Sequence, residues 1–184
     1  MIYTIPKILS ENICSELIAY FENHPELLRK SEDIAQQLFH AKDIEPYTIK
    51  DHQLLRELEA LRTRMTIEIS KYYHTTIYLD YWDLVKWYPG DWMCMHADNV
   101  DENKQPFDYC GWRSHSAIVY LNQDFKGGET VFRDVNQNVF PETGKALIFP
   151  AGYDYTHGVN EVTDGSRYTI ALWFTEDPKH VMLR

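Results

Sequence analysis

The chain has 184 residues, a formal net charge of −10 and a high aromatic content of 13 Tyr, 8 Phe and 5 Trp. That length suits one domain with a sizeable core, and the aromatic load fits a β-rich core beside a partly apolar site. The acidic balance without a Lys/Arg-rich run argues against nucleic acid as a partner, and no apolar run of about 18 residues is present to span a membrane.

From the N-terminus, MIYTIPKILSENIC lacks the charged and long apolar regions of a secretion signal. Ser10 is placed to cap a helix carrying Ile13, Leu17, Ile18 and Phe21 on one side, ended by His24-Pro25. Ser31 reads as a second cap, opening a short segment to Phe39. Asp51 starts the strongest helical pattern, with Leu54, Leu58, Leu61, Met65 and Ile69 three or four apart. After about residue 75 the pattern changes to short β-branched and aromatic runs: TIYLDYWDLVKWY, SAIVYLNQ, ETVFRDV, KALIFPA, THGVNEV and RYTIALWF. Pro89-Gly90, Gly127-Gly128, Pro141 through Gly144 and Asp164-Gly165 separate them, which predicts a sandwich or barrel. Residues 99–113 form a long polar connection, expected to act as a substrate-facing lid. The expected organisation is a single domain over 1–184, with helical support over about 1–75 and the β core over about 76–184. Cys14, Cys94 and Cys110 form neither a CxxC pair nor a disulfide framework, so free thiols and a cytoplasmic location are expected. The sequence does not fix an oligomeric state.

Chemistry concentrates in four residues. His96 and Asp98 are two apart, so an extended chain points both side chains to one face. His157 must come from a distant strand. Two imidazoles and one carboxylate leave open coordination positions, the ligand set of non-haem Fe(II) oxygenases. Zinc remains chemically possible, and any single histidine among the eight is more often structural than ligating. Arg167 opens the last aromatic strand, where its planar, permanently charged fork suits a carboxylate. Trp82, Trp87, Trp173, Phe149 and Ile118 are the apolar residues expected to keep water from such a site, with simple core packing as the alternative for each.

ILSENICSELI, WYPGDWMCMHADN, SAIVYLNQDFKGGETVF and TGKALIFPAGYDYTHGVNEVTDGSRYTIALWF, in that order, resemble the Fe(II)- and 2-oxoglutarate-dependent dioxygenases of the prolyl 4-hydroxylase type. The resemblance implies a mainly β, α+β fold: a double-stranded β-helix, or jelly roll, with supporting N-terminal helices. It implies His96, Asp98 and His157 as iron ligands and Arg167 as the partner of the distal carboxylate of 2-oxoglutarate. It further implies a hydroxyl of Tyr120 assisting the arginine, Tyr88 lining the cosubstrate pocket and Trp173 near the metal, with Arg113 and its neighbour Trp112 facing a peptide. Many relatives place a tyrosine just before the HxD pair, whereas this chain has Trp92-Met93, so its substrate contacts differ. The activity implied is hydroxylation of a prolyl residue in a peptide or protein, using O2 and converting 2-oxoglutarate to succinate and CO2, with ascorbate as reductant. Hydroxylation of another side chain or a small molecule, and a non-catalytic jelly-roll binding module, are the competing readings.

Overall fold

The structure is a computed structural model describing residues 1–30, 41–135 and 139–182. Helix α1 (Glu11–Asn23) begins where Ser10 Oγ accepts from Ile13 N at 3.3 Å, and α2 (His52–Tyr73) begins where Asp51 Oδ1 accepts from Gln53 N and Leu54 N at 2.8 and 3.0 Å. Each side-chain acceptor satisfies backbone donors that a helix start leaves open. The Leu54, Leu58, Leu61, Met65 and Ile69 stripe of α2 is buried throughout, as its spacing requires. The expected helix from Ser31 to Phe39 lies outside the described residues.

The described residues contain twelve strands, in chain order β1 (Tyr3–Ile5), β2 (Arg29–Lys30), β3 (Lys42–Ile44), β4 (Tyr78–Trp87), β5 (Met93–His96), β6 (Arg113–Tyr120), β7 (Lys126–Gly127), β8 (Thr130–Phe132), β9 (Ala146–Pro150), β10 (His157–Val159), β11 (Val162–Asp164) and β12 (Arg167–Thr175). The major sheet has the order β1-β9-β6-β12-β4-β3-β2, and β5-β10-β8 and β11-β7 form the smaller sheets. Every pairing is antiparallel. This is the double-stranded β-helix, and it departs from the expected organisation in one respect. Three strands of the major sheet, β1, β2 and β3, come from the first third of the chain. They are two or three residues long, too short to display an alternating pattern of their own.

Both faces of the major sheet are covered, so consecutive residues are buried over Leu84–Trp87 of β4 and Arg167–Ile170 of β12. One face, with Trp82, Leu84, Ile170 and Leu172, packs on Leu17, Phe21, Leu58 and Leu61 of the helices. On the opposite face Val85, Trp87 and Ala171 meet Val159, Val162 and Met93, while Phe149, Tyr120 and Leu147 form a second apolar group. The alternation of β4 therefore corrects one expectation: Trp82 is helix-side core, whereas Trp87 faces the space between the sheets. Among the described residues no helix is long and apolar enough to cross a membrane.

Candidate active site

A cavity of about 380 Å³ opens between the sheets. His96, Asp98 and His157 lie at one part of its wall and Arg167 at another. His96 ends β5 and His157 begins β10, and the two residues pair across the small sheet. Close approach of these strands depends on Gly158, because a Cβ there would stand 2.9 Å from both Met93 O and Met95 Sδ. Asp98 follows β5, its backbone tied to the end of β9 through Asp98 N to Ala151 O at 3.0 Å.

His96 Nε2 is 3.6 Å from Asp98 Oδ1, His157 Nε2 is 3.7 Å from Asp98 Oδ2, and ligand atoms of all three residues lie within 4.8 Å of one another. His96 Nδ1 is 3.0 Å from the Cys94 carbonyl, and His157 Nδ1 is 3.1 Å from that of Tyr155. A carbonyl only accepts, so each Nδ1 carries the hydrogen and each Nε2 presents its lone pair toward the carboxylate. Asp98 is fixed at both oxygens: Trp173 Nε1 donates to Oδ1 at 2.8 Å and Ser116 Oγ to Oδ2 at 2.7 Å. One lone-pair direction on each oxygen is thus occupied, and the carboxylate cannot rotate away from the imidazoles. Burial works against its ionisation, yet the neighbouring imidazoles of His157 and His96 and the Ser116 hydroxyl together hold Asp98 well below the usual carboxylate range. Burial pushes His157 down to about 4, which keeps its ring neutral, while Asp98 raises His96 against burial. Two oriented neutral-type nitrogens and a carboxylate fit a divalent first-row metal with open positions.

Arg167 is only 1% exposed, an unusual position for a guanidinium. Its Nη2 donates to Thr130 Oγ1 at 3.2 Å, and Tyr120 Oη lies 2.9 Å from the same hydroxyl. Tyr120 therefore reaches the arginine through Thr130, a link the sequence did not disclose. The ring of Trp87 lies 4.9 Å from the guanidinium carbon and that of Tyr120 5.5 Å, so both give cation–π support. Among the described residues Arg167 Nε and Nη1 have no hydrogen-bond partner. Burial pushes its pKa down, the direction for a cation lacking a counter-charge. A carboxylate entering the cavity supplies what those donors lack.

The remaining expected residues divide. Arg113 lines the cavity, lies 4.7 Å from the Trp173 ring and donates from Nε to Asp80 Oδ2 at 2.8 Å. Trp112 is not among the lining residues: it donates to Asp80 Oδ1 at 2.9 Å and stacks on His180 at 3.9 Å. Tyr88 also points elsewhere, its ring lying near the Lys86 and Lys42 ammonium groups at 4.6 and 4.9 Å. Phe149, Ile118, Val85 and Trp87 supply apolar wall. Ser116, Thr130 and Asp80 were missed because hydroxyls and a lone aspartate within strands carry no sequence signal of their own.

A second polar group borders the cavity. Asp43 and Asp83 line it, and both pair with Arg29, at 2.5 and 2.8 Å, while Glu45 joins at 3.4 Å. With three carboxylates around one guanidinium, burial together with the charge of Asp43 pushes Asp83 up to about 7, against the pull of Arg29. An unfolded aspartate ionises near ~4, so over roughly pH 4 to 7 the folded chain holds the extra proton and stability falls as pH rises. Asp83→Asn should match wild type near pH 4 and exceed it by up to about 4 kcal/mol at pH 8. Thermal unfolding of both proteins across this range checks it; a constant difference between them would contradict the assignment.

A jelly roll enclosing two imidazoles, a carboxylate and a buried guanidinium is the framework of a metal-dependent enzyme that takes an acidic cosubstrate. Residues 83–175 match the profile of the 2OG-Fe(II) oxygenase superfamily, and the chain belongs to that family of Fe(II)- and 2-oxoglutarate-dependent enzymes. It is 43% identical over 98 residues to prolyl 3-hydroxylase 1 of Homo sapiens, an alignment covering 47% of this chain and 13% of that protein. Prolyl 3-hydroxylase 2 of Homo sapiens is 40% identical over 96 residues, covering 46% and 13%. The chain thus spans a small part of the length of these relatives. Among solved structures, the viral collagen prolyl hydroxylase of Paramecium Bursaria Chlorella virus-1, in its 2OG complex, superposes with a TM-score of 0.71 at 18% identity, covering 96% of each chain. A Trichoplax adhaerens prolyl hydroxylase in complex with a hypoxia inducible factor peptide fragment gives 0.73 at 16% identity, covering 97% of this chain and 84% of that one. These likenesses bear on the fold.

Proposed function

We propose that the chain hydroxylates prolyl residues in a peptide or protein. In this reading His96, Asp98 and His157 hold Fe(II), and Arg167 holds the distal carboxylate of 2-oxoglutarate. The observation that carries it is the placement of a buried guanidinium with two unpartnered donors in the same cavity as the His-Asp-His cluster. When bound, iron and 2-oxoglutarate supply the oxidising chemistry: 2-oxoglutarate, O2 and a substrate C–H become succinate, CO2 and C–OH, with ascorbate keeping the metal reduced.

The protein's own part is orientation and exclusion. The carbonyls of Cys94 and Tyr155 fix the imidazole tautomers, while Ser116 and Trp173 fix the carboxylate. Thr130 and Tyr120 keep one edge of Arg167 occupied, leaving the other edge to a carboxylate. Trp87, Val85, Ile118 and Phe149 keep water from the reacting C–H. Arg113, held by Asp80 against Trp173, is a donor at the cavity wall suited to a peptide carbonyl.

The strong identity to part of the prolyl 3-hydroxylases favours a prolyl substrate over another side chain or a free small molecule. Incubation with Fe(II), 2-oxoglutarate, ascorbate and a set of proline-containing peptides should add the mass of one oxygen atom, located to proline by fragment spectra. Oxygen found elsewhere, or nowhere across diverse peptides, would refute the prolyl reading.

A further inference from the structure

Strand β12 alternates between two surroundings. Tyr168 and Ile170 pack on the helix side, while Arg167, Thr169, Ala171 and Trp173 line the cavity. Thr169 is 2% exposed, and it stands one step along the same face from the guanidinium whose Nε and Nη1 lack partners. Trp87 Nε1 lies 3.3 Å from Thr169 Oγ1. An indole nitrogen only donates, so the hydroxyl accepts this bond and its own hydrogen takes no part in it.

Among the described residues that hydrogen has no acceptor. The other buried threonines differ. Thr156 donates to Tyr153 O at 2.6 Å, Thr175 donates to Trp112 O at 3.0 Å, and Thr130 has an acceptor in Tyr120 Oη at 2.9 Å. A buried donor without an acceptor is destabilising, and a ligand oxygen relieves it. Thr169 thus repeats, with a neutral donor, the condition of Arg167 beside it: enclosed, held from one side and unsatisfied. The required occupant carries lone pairs, because a cation or an N–H offers nothing to either residue.

We propose that Thr169 is a further binding residue for the acidic cosubstrate, its hydroxyl donating to the carboxylate that pairs with Arg167. The inference rests on the assignment of Arg167 to the distal carboxylate of 2-oxoglutarate. Residues i and i+2 of a strand stand on one face roughly 7 Å apart, a gap that the long arginine side chain and a carboxylate bridge together. A carboxylate accepts at about four lone-pair sites, so the guanidinium leaves room on it for a hydroxyl. Trp87 serves both residues. Its ring lies 4.9 Å from the guanidinium carbon, and its N–H occupies one lone pair of Thr169, which polarises the O–H and turns it away from the indole.

Titration of 2-oxoglutarate into Fe(II)-loaded protein without oxygen tests this, since no turnover enters. Thr169→Val, close to threonine in shape, should weaken binding roughly 10-fold, and Thr169→Ser, which keeps the hydroxyl, should stay within about 3-fold of wild type. Thr169→Val also leaves Trp87 without its acceptor, so the same substitution is made in Trp87→Phe. A hydroxyl that touches the cosubstrate still matters there, and the further loss should again be roughly 10-fold. Unchanged binding in Thr169→Val, equal impairment in Thr169→Ser, or a loss that vanishes in the Trp87→Phe background overturns the proposal. Arg167→Ala in the same titration judges the underlying assignment. Unaffected binding there removes the carboxylate from this strand, whereas weakened binding in Arg167→Ala beside an unaltered Thr169→Val sinks the role of Thr169 alone.

Discussion

Asp98→Ala is expected to abolish Fe(II)-dependent consumption of 2-oxoglutarate, by roughly 10³-fold or more, since the Coulomb attraction of a carboxylate for a divalent ion exceeds 4 kcal/mol at any protein-like dielectric. The side chain is the one anion among the three donors, and its oxygens lie 3.6 and 3.7 Å from the two imidazole nitrogens. Its removal also frees the two groups that hold it, Ser116 Oγ and Trp173 Nε1. Asp98→Asn, close in shape, retains an acceptor for one of those donors and should lose metal while keeping the fold. Iron content after gel filtration, with circular dichroism on the same sample, separates the two effects. Normal turnover by either variant would place the metal elsewhere.

Arg167→Ala should raise the KM for 2-oxoglutarate by roughly 100-fold, because two charge-assisted hydrogen bonds at about 1.5 kcal/mol each amount to some two decades. Loss of the fold is not the expected cause. The guanidinium is fully enclosed, yet two of its donors have no partner among the described residues, so the residue carries a desolvation cost as well as packing. Arg167→Lys keeps the charge without the fork and should fall between the two. Direct titration of 2-oxoglutarate into metal-loaded protein reads this without turnover. Unchanged affinity in Arg167→Ala would move the carboxylate site away from this strand.

The parts of this architecture readable in the sequence are those governed by local period. The α2 stripe, the caps Ser10 and Asp51, the long strands β4, β6 and β12, and the shared face of His96 and Asp98 follow from spacing and turn residues, whereas joining His157 and Arg167 to them rests on the resemblance. Parity within β4 held more than was taken from it. Trp82 and Trp87 are five residues apart, an odd interval, so a regular strand must send them to opposite faces. The same rule turns Tyr88 away from Trp87. What periodicity cannot reach is partner choice. Asp80 receives both Trp112 and Arg113 only because β4 and β6 flank β12, and Thr130 meets Arg167 only because the smaller sheet folds over the larger. The short strands β1 and β3 form by pairing with β9 and β4, distant in the sequence, and β2 adds to the edge through β3, so no local pattern announces them.

The central claim is that these four residues make a working Fe(II) and 2-oxoglutarate site. Succinate formation by the wild-type protein, followed with and without added Fe(II) in air, measures it most directly. The structure predicts succinate that appears with Fe(II), stops when the metal is chelated and is absent in Asp98→Asn. Failure to form succinate under these conditions, or formation indifferent to iron and to Asp98, would contradict the account.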